Sequence, residues 1–302
     1  MNDDLKKPNI ALRWLIFIKE RFDPVSHFVM VSIFIYAHVQ VVKFLKIDSS
    51  HLLNWNFVAI SFGVLTFFFK LRLYDEIKDY KLDCVINPTR PLPRGLLTLK
   101  NVKQGIIFCI ILELTCALIN GLPTLFVMSL SILYSLLMYK EFFVPNFLRP
   151  KLTTYAVSHT VISVFLSVIL IAALTNQYPW HIPPLILSFC FSNWALFNIF
   201  EFGRKTFCKY EEREGVESYS KIYGTIGAVM LTLSQSALAY ILASRAIPIA
   251  RELLGWSFIL LAMQGTAFVF YNKGIMGKFY RTFSSFYIII FFSIIIYCLE
   301  II

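Results

Sequence analysis

Apolar residues fall in nine long runs separated by short polar or Pro/Gly breaks, and these runs set the first expectation for the chain. A helix needs about 20 mostly apolar residues to cross a bilayer. Runs of that kind span approximately residues 27–45, 54–71, 104–120, 123–139, 154–175, 183–202, 223–243, 254–272 and 282–301. The pattern predicts an all-α polytopic membrane protein with about nine transmembrane helices. No linker, low-complexity tract or charge block divides the runs, so residues 1–302 are expected to form a single transmembrane domain. Within the segment 1–26, Leu12, Trp14, Leu15, Phe17 and Ile18 sit among basic residues, the pattern of an interfacial helix on the cytoplasmic surface. That segment lacks the apolar region and small-residue cleavage site of a secretory signal.

Composition removes the main rival. The chain is 58% hydrophobic and only 15% charged, with mean hydropathy +0.68, 30 Phe and 15 Tyr. A soluble globule carries about a quarter charged residues, so a soluble fold is excluded. The basic residues test the span count independently, because Lys and Arg accumulate in short cytoplasmic loops. With the N-terminus inside, 24 of the 28 fall on the cytoplasmic side, including Lys6 and Lys7, eight from Lys70 to Lys103, five between Arg204 and Lys221, and Lys273. Only Lys43, Lys46, Arg245 and Arg251 lie opposite. A net charge of +10 follows from this bias and implies no nucleic-acid partner. The six cysteines suggest neither a disulfide framework nor a zinc site. His27, His38, His51, His159 and His181 have no metal-ligand spacing. His159, inside the fifth run, reads as a buried hydrogen-bonding residue.

Two of the cytoplasmic loops are long and crowded with ionisable groups. The first begins where the second run ends, at Leu71-Arg-Leu-Tyr-Asp75-Glu76-Ile-Lys-Asp79-Tyr-Lys-Leu-Asp83. The helical period places Glu76, Asp79 and Asp83 on one face with Asp75 adjacent. Four carboxylates so close repel each other unless cations lie among them. Such oxygen-rich clusters suit Mg²⁺, which takes one or two carboxylates, several waters and substrate phosphate oxygens. A solvated helix end offset by Lys78 and Lys81 is the plainer alternative. Four residues later comes Asn87-Pro-Thr-Arg90-Pro-Leu-Pro-Arg94-Gly95. Prolines stiffen this loop, and each arginine presents a planar fork suited to phosphate oxygens.

The combination DExxDxxxD–x3–NPxRPLPRG resembles the first aspartate-rich motif of the UbiA superfamily of intramembrane prenyltransferases. Asp75 stands where the family often has Asn, and Glu76 where it has Asp; Asp79, Asp83, Asn87, Arg90, Pro91 and Gly95 match directly. The resemblance implies helices around a central chamber, an isoprenyl diphosphate and a lipophilic acceptor as partners within the bilayer, and Mg²⁺ as cofactor. It places Asp75, Glu76, Asp79 and Asp83 at the metal and Asn87 and Arg90 at the diphosphate, to which the guanidinium chemistry of the loop adds Arg94. Asp75, Asp79, Asp83 and Arg90 are the expected catalytic residues.

The second loop reads Asn198-Ile-Phe-Glu201-Phe-Gly-Arg204-Lys205, then Glu211-Glu212-Arg-Glu214-Gly215-Val-Glu-Ser218, then Gly224. Gly215, Ser218 and Gly224 fit the tail of the family's second acidic motif, whereas Lys205 stands where a second acid is usual. Three alternatives follow: Glu201 with Glu211 or Glu212 holds a second Mg²⁺, Arg204 and Lys205 meet the diphosphate directly, or residues 209–217 are a solvated loop of offsetting charges. At the end of the fourth run, Tyr134…Tyr139-Lys140 resembles, with different spacing, the Tyr and Lys that relatives space as YxxxK, and Lys140 is either a further diphosphate candidate or an ordinary positive-inside anchor.

The chemistry expected is magnesium-assisted departure of diphosphate and capture of the allylic cation by an electron-rich, foremost aromatic, acceptor. Apolar walls would exclude water from the cation. A CDP-alcohol phosphotransferase would need DGxxAR and GxxxDxxxD, which are absent. The remaining alternative is a carrier of a phosphorylated or anionic lipid; it would place ionisable residues in mid-span. Acids concentrated at helix ends disfavour it. The expected location is a multi-pass membrane protein, in the cell or inner membrane of a bacterium, with the N-terminus and motif loops cytoplasmic.

Overall fold

The computed structural model describes residues 8–46, 55–271 and 274–301; Lys6, Lys7, His51 and Lys273 lie outside them. The described residues form twelve α-helices and three short 3₁₀ turns. In chain order the helices are α1 (Ile10–Arg21), α2 (Pro24–Phe44), α3 (Trp55–Ile86), α4 (Leu99–Ile119), α5 (Leu122–Tyr139), α6 (Pro145–Leu148), α7 (Leu152–Thr160), α8 (Ile162–Thr175), α9 (Pro184–Arg204), α10 (Tyr219–Ala246), α11 (Arg251–Tyr271) and α12 (Gly274–Glu300). Among the described residues, nine segments are long and apolar enough to cross a membrane, one for each run in the sequence. The fifth is assembled from α7 and α8, which join at Val161.

The chain divides into two compact units. The first comprises residues 1–32 and 53–121, and so holds α1, the beginning of α2, α3 and α4. Its backbone is a long helix, α3, of 32 residues. At 1.5 Å per residue it extends about 48 Å, roughly 18 Å more than a hydrocarbon core of about 30 Å. The surplus amounts to about twelve residues, and the last twelve residues of α3 carry Asp75, Glu76, Asp79 and Asp83. Helix α4 runs antiparallel beside α3: Gly63 faces Cys116, Lys70 faces Glu113 and Leu73 faces Gly105. A capping box between Thr98 and Asn101 starts α4 and ends the loop that follows the acids.

The second unit comprises residues 33–52 and 122–302, which hold the rest of α2 and α5 to α12. Lipid offers helices no hydrophobic gain on association, so packing of small residues and interhelical hydrogen bonds carry more of the specificity. Both are present. Tyr287 of α12 accepts from Ser236 of α10 and bonds Ser257 of α11, and Asn198 of α9 meets Thr160 of α7 and Gln235 of α10. His38 of α2 is wholly buried, with Nδ1 against the Phe34 carbonyl and Asn193 of α9 donating towards its other nitrogen. At Gly203 the absent Cβ lets Ser284 of α12 sit directly against α9.

The backbone irregularities of this unit include a run of three residues and a break within a helix. Glu141, Phe142 and Phe143 are three successive non-glycine residues with φ of 50°, 53° and 58°. This left-handed turn costs on the order of 1–2 kcal/mol per residue. It is held by Arg149 on Glu141 at 2.8 Å, and by Phe142 packed edge-on against Tyr134 and His159. Gly224 breaks α10 near its start, with φ 71° and ψ 168°, a conformation essentially restricted to glycine.

Candidate functional site

The first acidic cluster lies within the first unit and is built by the end of α3 and the loop after it. Glu76 is 1% exposed, and its Oε1 accepts from Arg21 Nε at 2.7 Å and from Arg72 at 2.5 Å. Its second oxygen, Oε2, is buried and has no hydrogen-bond partner among the described residues. Asp83, also buried, accepts from Arg90 Nη1 on both carboxylate oxygens, at 2.6 and 2.7 Å, and from Asn87 at 3.0 Å. Asp79 lies between them on the helix surface and makes no hydrogen bond or ion pair among the described residues. Asp75 is on the exposed side one residue before Glu76.

The proline-rich loop holds its arginines in place. Arg90 and Arg94 donate their backbone N–H groups to Asn87 and Arg90, Gly95 and Leu96 donate back to Leu92 and Pro91, and Gly95 adopts φ 75°. Leu92 and Leu97 bury the apolar side of the turn. Arg94 then reaches out of the loop and grips Glu20 of α1 with both terminal nitrogens, at 2.7 and 2.8 Å. That guanidinium holds the Glu20 carboxyl below the usual carboxylate range.

These residues suit a hard divalent cation. All the donors are carboxylate oxygens, one of them a buried oxygen that lacks a partner. Among the described residues no three His, Cys, Asp or Glu side chains converge closely enough to complete a metal site alone. Mg²⁺ does not require that, because it is usually bound through one or two carboxylates plus substrate phosphate oxygens and water.

The second cluster belongs to the second unit. Glu201, in the last turn of α9, accepts from Arg204 at 2.7 Å and pairs with Lys205 at 2.7 Å. The two cations expected to meet phosphate therefore share one carboxylate. Glu211 instead binds Arg281 of α12 through both oxygens, at 2.5 and 2.6 Å, and this contact pulls its carboxyl down to about 2. Glu212 accepts from Ser218 and Ser220 at 2.7 Å. Each of the three acids proposed for a second ion thus has its own separate partners. The residues of the motif's tail have local tasks: Gly215 makes a left-handed turn, Ser218 caps α10, and Gly224 breaks it. Lys140 follows α5, is exposed, and lies 5.4 Å from the Tyr139 ring. His159 is half-buried, stacked on Tyr155 at 3.9 Å, with Nδ1 at the Tyr155 carbonyl.

Three charged residues of the first unit escaped the reading of the sequence. Glu20 and Arg21 lie on α1, whose sequence pattern predicts only an interfacial helix, and no signal in the sequence ties them to the acids of α3. Glu113 does have such a signal, being the one acid in the third apolar run. It departs from the expectation that acids keep to helix ends: Lys70 and Glu113 are both fully buried and meet at 2.5 Å, with Lys70 also over the Phe67 ring. Lys70 therefore does not belong with the loop charges among which it was counted.

Comparison with known proteins agrees with this architecture. A solved structure described as giving structural and mechanistic insights into digeranylgeranylglyceryl phosphate synthase in membranes superposes with a TM-score of 0.60 at 16% identity, covering 97% of this chain and 99% of that one. A search of curated proteins returns no match. The model of the UbiA prenyltransferase family matches residues 29–281, which include both charged loops. The chain belongs to the UbiA prenyltransferase family.

Proposed function

We propose that the protein transfers an isoprenyl group from a polyprenyl diphosphate to a lipophilic acceptor within the membrane, and that the acids and arginines of the first unit assist departure of the diphosphate. One observation carries the reading. In a chain of this family, the surplus length of α3 presents a buried carboxylate oxygen with no partner beside an unpaired Asp79 and an arginine-bearing, proline-stiffened loop.

The assignment of roles follows from the contacts. Glu76 Oε2, Asp75, Asp79 and Asp83 are the carboxylates from which one or two would hold Mg²⁺, which when bound would neutralise phosphate charge as the carbon–oxygen bond lengthens. Asn87 keeps one Asp83 oxygen in place through its amide. Arg90, whose partner is Asp83, turns to a phosphate oxygen when that carboxylate is otherwise engaged, and Arg94 adds a second fork from the same rigid loop. Glu201, Arg204 and Lys205 form a distinct charged cluster of the second unit to which we assign the same class of anionic ligand, with Lys140 as a further cation. The N-terminus and both loops are assigned to the cytoplasmic side from the distribution of Lys and Arg. The neighbour in the structural comparison is described as a synthase of a glycerol-based lipid; its likeness supports the fold, and the acceptor here is assigned only as lipophilic.

Two measurements test the proposal. Purified protein should release diphosphate from geranylgeranyl or farnesyl diphosphate in a Mg²⁺-dependent manner, and Asp79→Ala and Asp83→Ala should each abolish most of that release. Full activity in both variants would overturn the metal assignment. Mass spectrometry of lipid extracts from cells with and without the protein should reveal a prenylated product, and its absence in active cells would argue against transfer.

A further inference from the structure

We propose that α1 is a working part of the first unit's site, with Glu20 and Arg21 acting as positioning residues for Arg94 and Glu76. This inference rests on the diphosphate reading above and deepens it.

Helix α1 is docked by two kinds of contact. Its apolar side buries Phe17 completely, with Trp14 and Phe69 edge-on to it at 5.6 and 6.3 Å and Phe22 edge-on to Phe69 at 5.1 Å. Trp14 lies so close to Gly105 of α4 that a Cβ there would come within 2.7 Å of the indole ring. Its polar side makes three ties to the motif itself. Arg13 donates to the Leu96 carbonyl in the arginine loop, Glu20 takes both ends of the Arg94 fork, and Arg21 donates to Glu76. A helix that merely lay on the membrane surface would have no cause to place successive residues, Glu20 and Arg21, on the two charged parts of one motif.

The ties have specific consequences. The Glu20 and Arg94 side chains are 38% and 36% exposed, and ion pairs that open to solvent contribute little to folding stability. What the bidentate contact supplies is orientation: Arg94 Nη1 is shared between Glu20 and the Thr89 carbonyl, which fixes the plane of the guanidinium. The second Nη2 proton and the Nε proton take no partner among the described residues, and both lie in that fixed plane. Arg21 acts on the acid. With Arg72 it occupies Oε1 of Glu76, so that the other oxygen is the one left without a partner. Arg21 thereby selects which lone pairs of Glu76 face a ligand.

The test uses the whole protein in detergent or nanodiscs. Thermal shift is measured with Mg²⁺ and inorganic diphosphate together, and steady-state diphosphate release with a prenyl diphosphate. Glu20→Ala should raise KM about fivefold, the equivalent of about 1 kcal/mol, and make the diphosphate-dependent shift smaller, while kcat and the melting temperature without ligand stay near wild type. Glu20→Gln, which keeps one acceptor oxygen, should fall between. Arg21→Met, which keeps the apolar stem, should lower the apparent Mg²⁺ affinity by a similar factor. Gly105→Val, which displaces Trp14 and touches no charged group, should reproduce the KM effect. If Glu20→Ala and Arg21→Met change only the melting temperature, α1 is a structural prop and the inference fails. If wild type shows neither release nor shift, the diphosphate reading itself fails, and the inference falls with it.

Discussion

Lys70 and Glu113 permit a sharp test of how α3 and α4 are held together. Both side chains are fully buried, Nζ and Oε2 are 2.5 Å apart, and Glu113 Oε1 has no hydrogen-bond partner among the described residues. At an effective dielectric of about 20, two unit charges at that separation attract by about 7 kcal/mol. Removing each ion from water costs several kcal/mol, so the attraction is largely cancelled and the pair as a whole stabilises little relative to apolar residues of similar size. Removing one partner is different, because the other remains as an unpaired buried charge. Glu113→Leu or Lys70→Met alone should cost about 3–5 kcal/mol. The lower end is expected, because a membrane chain that has lost its packing still finds polar partners. The double variant should return to within about 1–2 kcal/mol of wild type.

The assay is reversible unfolding in mixed micelles of wild type, both singles and the double, read as a double-mutant cycle. A coupling energy of several kcal/mol is expected. If the double variant is as unstable as the singles, the two residues do not balance each other and the argument fails. Diphosphate release by the double variant supplies a second readout. Retained release marks the pair as architecture, whereas a folded but inactive double variant would mean that the charges of the pair are needed for the reaction itself.

Other expectations are more local. Gly224→Ala should destabilise by about 1–3 kcal/mol although nothing lies within 4 Å of the added Cβ, because the cost is backbone strain alone; chemical denaturation measures it. Gly203→Ala should cost about 1–3 kcal/mol through contact with Ser284, and Ser284→Gly should recover most of that loss in a thermal melt. Glu211 has its folded pKa depressed to about 2 by Arg281, from an ordinary 4.5. Its contribution is therefore present above about pH 4.5 and lost as pH falls towards 2, and melting temperature followed from pH 6 to 3 should drop more steeply in wild type than in Glu211→Gln. Lys205→Glu sets like charge beside Glu201 and should weaken diphosphate binding; unchanged KM and kcat would assign Lys205 to its local pair alone.

The spans were legible because the bilayer imposes a simple length rule on apolar runs, and all nine runs reappear as helical segments among the described residues. Their ends were less so. The run at 54–71 stops just before Arg72 and the acids, yet the helix continues to Ile86, because nothing in Asp75–Asp83 breaks a helix and Glu76 and Asp83 gain arginine partners there. The acidic motif was legible by its spacing, a local property. Pairings across many residues were not: Glu20 to Arg94, Arg21 to Glu76, Lys70 to Glu113 and Glu211 to Arg281 each depend on which helices become neighbours. The left-handed turn at Glu141–Phe143 was invisible for another reason, since its sequence contains neither glycine nor asparagine and tertiary contacts alone sustain it.

The same pairings bear on how charge is stored in a chain of this kind. Arg90 rests on Asp83, Arg94 on Glu20, and Arg204 and Lys205 on Glu201, so cations suited to a diphosphate are each balanced by a carboxylate of their own unit. An uncompensated guanidinium close to a hydrocarbon phase is costly, and a carboxylate partner lowers that cost. A carboxylate that pairs with an arginine in one state and is a candidate ion ligand in another satisfies both demands with one side chain. Spacing alone therefore cannot sort Asp83 into metal ligand or arginine partner, because the chemistry gives it reason to be both. Glu76 differs: two arginines hold one of its oxygens and leave the other without a partner, so the division of labour falls within a single carboxylate. Arginines of α1, of α3 itself and of the loop after it, rather than the acids of the motif themselves, thus decide which oxygens remain open to a ligand.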